Sequence, residues 1–378
     1  MTDVYQQSLE LHRAKKGKLE LTSKVKINTK EDLSLAYTPG VAEVCRVIAD
    51  NPAEAKNLTL KSNTIAVVTD GSAILGLGNL GPKAAIPVME GKCILFKEFA
   101  GVDAFPICLD TQDTEEIIKT IKYIAPVFGG INLEDISAPR CFEIEKRLKA
   151  ELDIPVLHDD QHGTATVVLA ALINALKLLN INKENIKVVV NGAGAAGIAT
   201  ANLFVQYGIK NIIVCDSKGA IHKDRADLNQ TKKKLAEVTN REKQTGELSD
   251  VVLGADVFVG VSRPGLLTPE MVESMGSRPV IFALANPIPE IMPEIAKEAG
   301  AYIISTGRSD YPNQTNNVLA FPGLFLGALN NNVTDITDTI LIRAAEVLAG
   351  LVDNLSVDKI LPAPLDKSVA EKIAEAVY

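Results

Sequence analysis

Short, uninterrupted runs of apolar residues dominate the second half of the chain. Five of them occur between residues 186 and 306, separated by helical or charged stretches: IKVVVNG, NIIVCD, ADVFVGV, PVIFALAN and AYIIST. Strands buried on both faces of a parallel sheet have this composition, because both of their sides contact other elements. The pattern therefore predicts a doubly wound, Rossmann-like parallel sheet in this half.

The first half mixes extended and helical patterns. Residues 66–70 (AVVTD) and 104–110 (AFPICLD) predict strands that end in an aspartate, and isoleucines at helical spacing predict a helix over 114–128. Residues 137–152 predict a further helix, with Ser137 as its cap. This half therefore predicts a mixed α/β domain.

A long apolar helix, TATVVLAALINALKLL, begins at residue 164 and marks the predicted boundary between two domains. The segment before it, IPVLHDD, predicts a short buried strand with polar residues at its carboxyl end. We expect an α/β protein with a mixed α/β domain over 1–163 and a Rossmann-like domain, completed by helices, over 164–378. The charged stretch 224–247 predicts a solvated helix and loop, to which we assign no function.

Composition and charge narrow the class of protein. The 378 residues are 47% hydrophobic and 23% charged with a net charge of −8, which is typical of a globular protein and argues against a nucleic-acid partner. The polar N-terminus does not resemble a signal peptide, and no apolar run reaches the ~18 residues that a membrane span needs. Five cysteines without a CxxC pair predict reduced thiols. We expect a cytoplasmic protein that does not bind a membrane.

A glycine fingerprint follows the first strand of the second half. Gly192, Gly194 and Gly197, with Ala195 and Ala196 between them, form G-x-G-x-x-G at a strand-to-helix turn. Such glycines let the backbone approach a pyrophosphate at a helix N-terminus, and an acid that ends the next strand binds the ribose.

The acid that fits this second role is Asp216, which ends the next predicted strand. Its charge favours NAD, because it repels a 2′-phosphate. Lys218 lies two residues further on and keeps NADP open, because a lysine can pair with that phosphate.

A second match to the same pattern, GLGNLG, carries Gly76, Gly78 and Gly81. Pro82 follows at once, and Pro87 is expected to interrupt any helix within two turns. We therefore discount this match as a dinucleotide site.

Four acids near two predicted strand ends are candidate metal ligands. Asp159 and Asp160 lie in HDDQH, and Glu134 and Asp135 lie in NLEDI. A zinc site of the H-E-x-x-H type needs both histidines on one helix, whereas the HDDQH segment is predicted to end a strand. Carboxylates suit Mg²⁺ or Mn²⁺ better, and solvated loop acids remain the alternative.

The sequence resembles the malic enzymes of the short bacterial type over nearly its whole length. Seven motifs in order carry the resemblance: LAYTPGVAEVC, VVTDGSAILGLGNLGPKAAIPVMEGK, GGINLEDISAPRCFEIE, HDDQHGTA, VVNGAGAAGIA, FALANPIPEI and TGRSDYPNQTNNVLAFPG. The resemblance implies oxidative decarboxylation of (S)-malate to pyruvate and CO₂, with oxaloacetate as intermediate. It also implies NAD (NADP possible) and Mg²⁺ or Mn²⁺ as cofactors.

The resemblance assigns roles to individual positions. It implies that Tyr37 is the general acid, that Lys92 is the general base and that Asp159 works beside the lysine. The implied metal ligands are Glu134, Asp135 and Asp160. The implied substrate contacts are Asn286, Asn316 and Asn317, of which Asn286 also lies at the cofactor. Judged alone, Tyr37 fits a packed turn and Lys92 fits a solvated surface lysine.

One departure and two rival functions remain. Larger malic enzymes carry a substrate-binding arginine in the block that reads TDGSAILGLG here, with Ser72 and Ala73 in its place, and Lys83 is a candidate replacement. The rivals are an oxaloacetate decarboxylase without net redox change and a catalytically silent binding protein. The resemblance also implies a homodimer, in which Tyr37 serves its own or the partner's site.

Overall fold

The computed structural model describes residues 4–74 and 77–378. Its N-terminal half contains a four-stranded parallel sheet in the order β2-β1-β3-β4. The strands are β1 (Thr64–Thr69), β2 (Asp103–Cys108), β3 (Gly130–Leu133) and β4 (Val156–His158). Because all four strands are parallel, their carboxyl ends meet at one edge of the sheet.

Helices precede and flank this sheet. They are α1 (Val4–Lys15), α2 (Lys30–Ala36), α3 (Val41–Asp50), α4 (Glu54–Leu58), α5 (Pro82–Ala100), α6 (Thr114–Ile124) and α7 (Arg140–Glu151). The first four contain no buried residue, whereas α5, α6 and α7 bury one face against the strands.

The C-terminal half contains a six-stranded sheet in the order β10-β9-β8-β5-β6-β7. The strands are β5 (Lys187–Asn191), β6 (Asn211–Asp216), β7 (Gly219–Ala220), β8 (Val257–Gly260), β9 (Val280–Ala283) and β10 (Ile303–Thr306). The five predicted strands are confirmed, all parallel, and the short edge strand β7 is antiparallel. The strand order reverses between β5 and β8, which is where doubly wound sheets bind their ligands.

Helices cover both faces of this sheet and close the chain. They are α8 (Asp159–Leu179), α9 (Ala195–Tyr207), α10 (Gln230–Val238), α11 (Leu248–Val252), α12 (Pro269–Ser274), α13 (Pro293–Glu298), α14 (Phe321–Asn331), α15 (Asp338–Gly350) and α16 (Ser368–Glu375). The main core combines residues of both halves: side chains of β1 and α5 pack with those of α8, α9, α14 and α15. The two halves therefore share one buried core.

Two helix starts differ from the sequence-based expectation. Ser137 is not the cap of α7, because that helix begins at Arg140, and the Ser137 backbone N–H donates to Ser72 Oγ at 2.9 Å. Helix α8 begins at Asp159 rather than at residue 164, so the expected domain boundary falls inside it. Two acids in its first turn suit the positive end of the helix dipole.

A third difference concerns the second glycine motif. Helix α5 begins at Pro82 and runs through Pro87 for 19 residues, so the expected interruption is wrong. Pro87 removes the hydrogen bond to the Lys83 carbonyl, but both residues are exposed and water can replace that bond. Gly76 of this motif lies outside the described residues.

Helix α8 is long and apolar enough to cross a membrane by length and composition alone. However, 78% of its most apolar window is buried inside the protein, as in the core helix of a globular domain. All five cysteines are free thiols, in agreement with the prediction, and Cys93, Cys141 and Cys215 are buried.

Candidate active site

The carboxyl ends of β1, β3 and β4 bring together the acids that the sequence places after each strand. Asp70 follows β1, Glu134 and Asp135 follow β3, and Asp159 follows β4. Because β3 lies between β1 and β4, these acids converge at one edge of the sheet. The fold therefore brings together acids from three separate segments of the sequence.

Lys92 is the cation at this edge. It extends from α5, and its Nζ lies 2.6 Å from Asp159 Oδ2 and 2.9 Å from Glu134 Oε1. Asn317 donates from Nδ2 to the same Asp159 oxygen at 2.8 Å. The Lys92 side chain is only 10% exposed, which rules out a solvated surface lysine. We call Lys92, Glu134, Asp135, Asp159 and Asp160 the Lys92 cluster.

Burial and charge act in opposite directions on this cluster. Burial opposes the ammonium form of Lys92, but Asp159 and Glu134 raise its pKa above the ordinary value. Burial also raises the pKa of Asp159, against the pull of Lys92. The pKa of Glu134 lies well above its usual range, because burial and the neighbouring carboxylates outweigh Lys92. The cluster thus contains four acids and one lysine, and the lysine contacts two of the acids, Glu134 and Asp159.

This donor set fits a hard divalent cation by its chemistry. Oxygen ligands with excess negative charge are what Mg²⁺ and Mn²⁺ select. Asp160 Oδ2 accepts a hydrogen bond from the Asp135 backbone N–H at 2.8 Å, which joins two of the three predicted ligands. The Glu134 carboxylate instead faces Lys92 and Asn132. In the described part of the chain, no three His, Cys, Asp or Glu side chains are placed closely enough to hold a metal ion as they stand.

Three predicted residues lie apart from the Lys92 cluster. Tyr37 ends α2, and its side chain is 66% exposed. Asn286 is exposed on the loop after β9, where it faces Gly307. The Asn316 side chain accepts from the backbone N–H of Val318 at 3.0 Å and caps a short 3₁₀ turn. The substrate contacts of Asn286 and Asn316 stay predictions.

Glu145 is a site residue that the sequence analysis missed. It is buried on α7, and its carboxylate accepts from the His158 backbone N–H at 2.9 Å and from Gln161 Nε2 at 3.2 Å. It also contacts His162 Nε2 at 3.0 Å. Although burial opposes its charge, the neighbouring histidines hold the pKa of Glu145 at about 2. Glu145 therefore fixes the turn that presents Asp159 and Asp160.

Gly163 and Phe321 were also missed. A Cβ atom at Gly163 would lie 1.9 Å from Asp159 Oδ1, so only glycine allows the carboxylate its position. Glycine at this position argues from sequence against a helix start, whereas Gly163 lies inside α8. The Phe321 ring lies 4.2 Å below Lys92 Nζ and forms a cation–π contact with it.

A cation contacts the TDGSA block at Asp70 and Ser72. Arg140 Nη2 lies 2.7 Å from Asp70 Oδ2 and 3.1 Å from Ser72 Oγ. Lys83, the candidate named from the sequence, is exposed. Asp70 is fully buried, so Arg140 serves at least as its counterion.

The glycine fingerprint lies at the reversal point of the second sheet. Gly192 has a φ of 124°, and a Cβ atom there would lie 2.5 Å from the Val261 carbonyl oxygen. A Cβ atom at Gly197 would lie 1.7 Å from the Gly192 carbonyl oxygen. Gly194 caps α9, whose first residues are Ala195 and Ala196. The loop therefore leaves backbone N–H groups at a helix N-terminus free to approach a phosphate.

Asp216 ends β6 beside this loop, as predicted, but cations surround it. Arg225 and Lys232 both bind its carboxylate, at 2.9 Å and 2.6 Å. Both belong to the stretch 224–247, to which the sequence analysis assigned no function. The segment is therefore only partly solvated, because it delivers two cations to a predicted cofactor residue.

Comparisons with known proteins match both halves of the chain. Residues 15–149 match the malic enzyme N-terminal domain, and residues 161–378 match the malic enzyme NAD-binding domain. The chain is 57% identical over 375 residues to the bifunctional malic/malolactic enzyme of Bacillus subtilis, covering 98% of this chain and 92% of that protein.

Two further similar proteins are also malic enzymes. The chain is 58% identical to the NAD-dependent malic enzyme of Geobacillus stearothermophilus, covering 96% of this chain and 76% of that protein. The crystal structure of the NAD-dependent malic enzyme of Thermotoga maritima superposes with a TM-score of 0.95 at 50% identity, covering 98% of each chain.

Proposed function

The chain belongs to the malic enzyme family, and we propose that it oxidises and decarboxylates (S)-malate to pyruvate and CO₂ with reduction of NAD or NADP. The observation that carries the proposal is the buried contact of Lys92 with Asp159 and Glu134. This contact supports the proposal because it joins a buried amine to acidic groups at one edge of the sheet, in a chain whose glycine loop has the form of a dinucleotide-binding loop.

Lys92 is proposed to take the proton from the C2 hydroxyl of malate. While both Asp159 and Glu134 face it, its raised pKa keeps the proton on nitrogen. A Glu134 carboxylate engaged elsewhere leaves Lys92 buried with one fewer anion, and burial then favours the neutral amine. Asp159, held by Asn317, keeps the amine in position. The protonation state of Lys92 is thus proposed to depend on whether Glu134 faces it or binds another group.

Two groups from outside the chain complete the chemistry. A divalent cation held by Glu134, Asp135 and Asp160 would, when bound, supply Lewis acidity to the substrate. Bound NAD or NADP supplies the acceptor for the C2 hydride. The chain itself then has one further task, the protonation of the pyruvate enol at C3, for which Tyr37 is the proposed acid.

The first test is the absorbance at 340 nm with purified protein, (S)-malate and Mn²⁺, with NAD and NADP in separate cuvettes. We expect reduced cofactor and pyruvate in equal amounts. Pyruvate formed only from oxaloacetate, with no reduction of either cofactor, would overturn the proposal and make the protein a decarboxylase. Binding of malate without any product would make it a silent relative.

We also propose that the protein is a homodimer in which residues 4–58 pack on the second copy. None of α1 to α4 buries a residue, although this segment carries many apolar side chains, and Leu21 is 83% exposed. Such a surface favours association, because each buried Å² of apolar area contributes about 25 cal/mol. Tyr37 belongs to the same segment, so it is proposed to reach the site of the partner.

Mixing of inactive variants tests this sharing. Tyr37→Phe and Lys92→Ala proteins should each have little activity, and a mixture allowed to exchange subunits should recover up to about a quarter of the wild-type rate, since random exchange makes half of the dimers mixed, each with one intact site. Exchange is followed separately by mass spectrometry of intact dimers. Exchange without recovery would show that Tyr37 serves its own chain.

A further inference from the structure

The loops that follow β8 and β9 lie on the side of the second sheet where the nicotinamide end of a dinucleotide is expected. A dinucleotide spans the point where the strand order reverses, with its pyrophosphate at the glycine loop after β5. Asp216 ends β6 and marks the adenosine side, so the other nucleoside falls on the side of β8 and β9. The chain continues from β10 to Asn317, which contacts Asp159, so the same side connects to the Lys92 cluster.

Glu290 joins these two loops through its side chain. It follows β9 and is fully buried. Its Oε1 accepts from the Ser262 backbone N–H at 2.9 Å, and its Oε2 accepts from the Ala285 backbone N–H at 3.0 Å. Ser262 lies in the loop after β8, and Ala285 lies after β9, directly before Asn286, which is predicted to lie at the cofactor. One carboxylate therefore fixes the spacing between the two loops.

The loop after β8 in turn contacts the glycine loop. Ser262 Oγ accepts from Asn191 Nδ2 at 3.1 Å, and Asn191 directly precedes Gly192. A Cβ atom at Gly192 would lie 2.5 Å from the Val261 carbonyl oxygen, so the two backbones are in close contact. A shift of this loop would therefore change the cleft between the glycine loop and the end of β9.

The contacts of Glu290 require an ionised carboxylate. Its two recorded partners are backbone N–H groups, one on each oxygen, and only the ionised form accepts through both oxygens without presenting a proton to a donor. Burial raises the pKa of Glu290, and these N–H groups oppose the shift. Gly260, the last residue of β8, provides the space, because a Cβ atom there would lie 2.4 Å from Glu290 Cδ.

We infer that Glu290 is a positioning residue for the nicotinamide ring, because it holds together the two loops that border the cleft for that ring. The inference rests on the proposed function for its consequence in turnover, but not for the binding itself. Both Glu290 oxygens are occupied and buried, so the residue acts through Ser262 and Ala285 and does not contact the ring. The adenosine end, which lies across the reversal point, is not held by these contacts.

A purely structural role for Glu290 is the alternative. The Leu267 backbone N–H donates to the Glu290 carbonyl at 3.2 Å, and the Gly265 N–H donates to the Pro289 carbonyl at 3.3 Å. These backbone bonds connect the same segments and do not depend on the Glu290 side chain. The two roles differ in one respect: only a positioning role weakens the binding of NAD while leaving the binding of ADP-ribose, which lacks the nicotinamide, unchanged.

Calorimetric binding of NAD and ADP-ribose to the whole chain separates the two roles. Glu290→Gln replaces one acceptor oxygen by an amide N–H that opposes a backbone donor. We expect the affinity for NAD to fall about tenfold and that for ADP-ribose less than about twofold, since a hydrogen bond to a charged group is of that order. Glu294→Gln is the matched control, because Glu294 is exposed nearby and its amide can still accept from Tyr311.

Gly260→Ala is a second variant that keeps the charge of Glu290. The new Cβ must displace the carboxylate, so the same difference between NAD and ADP-ribose is expected. In each variant, binding of ADP-ribose shows that the cofactor domain is folded. Equal weakening of both ligands, or an unchanged affinity for NAD, would overturn the inference.

Turnover adds a further measurement. The KM for NAD should rise about tenfold in Glu290→Gln, while decarboxylation of added oxaloacetate without nucleotide should change less than about twofold, because that step needs no hydride acceptor. If the variants separate NAD from ADP-ribose as expected but malate reduces no cofactor with the wild type, the proposed function fails and the positioning role of Glu290 stands.

Discussion

The Lys92 cluster resembles a second group in its position but differs from it in charge. The second group, which we call the Asp216 cluster, consists of Asp216, Asp227, Lys218, Arg225 and Lys232. Each cluster lies at the carboxyl end of a parallel strand and joins an acid there to a cation, which comes from 67 residues away in the Lys92 cluster and from 9 and 16 residues away in the Asp216 cluster. The Lys92 cluster has four acids and one lysine, whereas the Asp216 cluster has three cations and two acids. Because acids outnumber cations in the first cluster and cations outnumber acids in the second, we expect the first to favour a cationic ligand and the second an anionic one.

Burial separates the clusters as much as charge does. Asp159 is fully buried, and Lys92 and Glu134 are nearly so, while Lys218 and Asp227 at the edge of the Asp216 cluster are exposed. Solvent screens the second group and not the first. Substitutions should therefore change activity or stability most in the Lys92 cluster. Effects should be intermediate at Gly163 and Glu145, which position its acids, and small at the exposed edge of the Asp216 cluster.

The largest effect is expected for Lys92→Met. Loss of a general base lowers kcat by about 10²–10⁴-fold, and the unpaired Asp159 and Glu134 cost on the order of 3–5 kcal/mol of stability. Decarboxylation of added oxaloacetate should fall roughly tenfold less, because it needs no proton removal from a hydroxyl. Cofactor reduction, pyruvate and urea unfolding are measured together.

Lys97→Met is the matched control, since Lys97 lies on the same helix and pairs with Asp103 at the surface. It should change stability by less than about 1 kcal/mol and leave activity intact. Equal losses of activity and stability in Lys92→Met and Lys97→Met would show that a buried ion pair matters no more here than an exposed one.

The next largest effect, a loss of activity, is expected for Gly163→Ala. In an unhindered helix this change stabilises by up to about 1 kcal/mol, but here the new Cβ meets Asp159 Oδ1 at 1.9 Å. The carboxylate must move away from Lys92, and misplacement by about 1 Å can cost roughly 10²-fold in kcat. A Gly350→Ala variant is the control, because no atom lies within 4 Å of a Cβ there. Full activity of Gly163→Ala would show that the position of Asp159 is not critical.

Glu145→Gln tests the support of the acidic turn through pH. The pKa of Glu145 is about 2 in the folded chain against 4.5 ordinarily, so its ionisation stabilises the fold fully above pH 4.5 and progressively less as the pH falls toward 2. That contribution is worth ~3 kcal/mol.

Urea unfolding of wild type and Glu145→Gln at pH 7, 5 and 3 measures this contribution. The stability difference should hold near ~3 kcal/mol at the two higher values and shrink at the lowest. Glu143→Gln, an exposed residue on the same helix, should show no such trend. A difference that is independent of pH would mean that packing, not charge, accounts for the role of Glu145.

The strands and the acids at their ends could be predicted from sequence, because a buried parallel strand is apolar throughout and its polar residues follow it. The contact between Lys92 and Asp159 could not be predicted from pattern alone, since 67 residues separate them. Only the family resemblance paired them. Gly163 was misjudged because its role depends on where the Asp159 carboxylate lies, which the residue type does not reveal.

The partners of Asp216 escaped prediction for a different reason. A helix rich in lysine and glutamate has the same composition whether it faces water entirely or directs one lysine inward. Lys232 lies on α10 and Arg225 lies in the loop before it, and both contact Asp216 after the chain turns back through the short antiparallel strand β7. The pattern of apolar runs does not predict β7. Surplus charge in a cluster is therefore a property of the fold and not of a local pattern.

The smallest effect is expected for Lys218→Met. Its side chain is 68% exposed and pairs with Asp227, itself 38% exposed. Its backbone N–H, which binds Asp216, is unchanged by the substitution. The probe is 2′,5′-ADP, which carries the 2′-phosphate that distinguishes NADP from NAD. If the Asp216 cluster contacts this phosphate, binding of the probe to Lys218→Met should weaken less than about threefold at 150 mM salt. The difference from wild type should vanish at 1 M, because the Debye length falls from about 8 Å to about 3 Å.

Lys232→Met should weaken binding of 2′,5′-ADP by about tenfold at both salt concentrations, since Lys232 bonds Asp216 directly and is mostly shielded from solvent. A loss in Lys218→Met that equals the loss in Lys232→Met would assign the phosphate to the exposed edge of the cluster. The order of these two losses thus tests whether burial, and not charge alone, determines which cation of the Asp216 cluster discriminates between the cofactors.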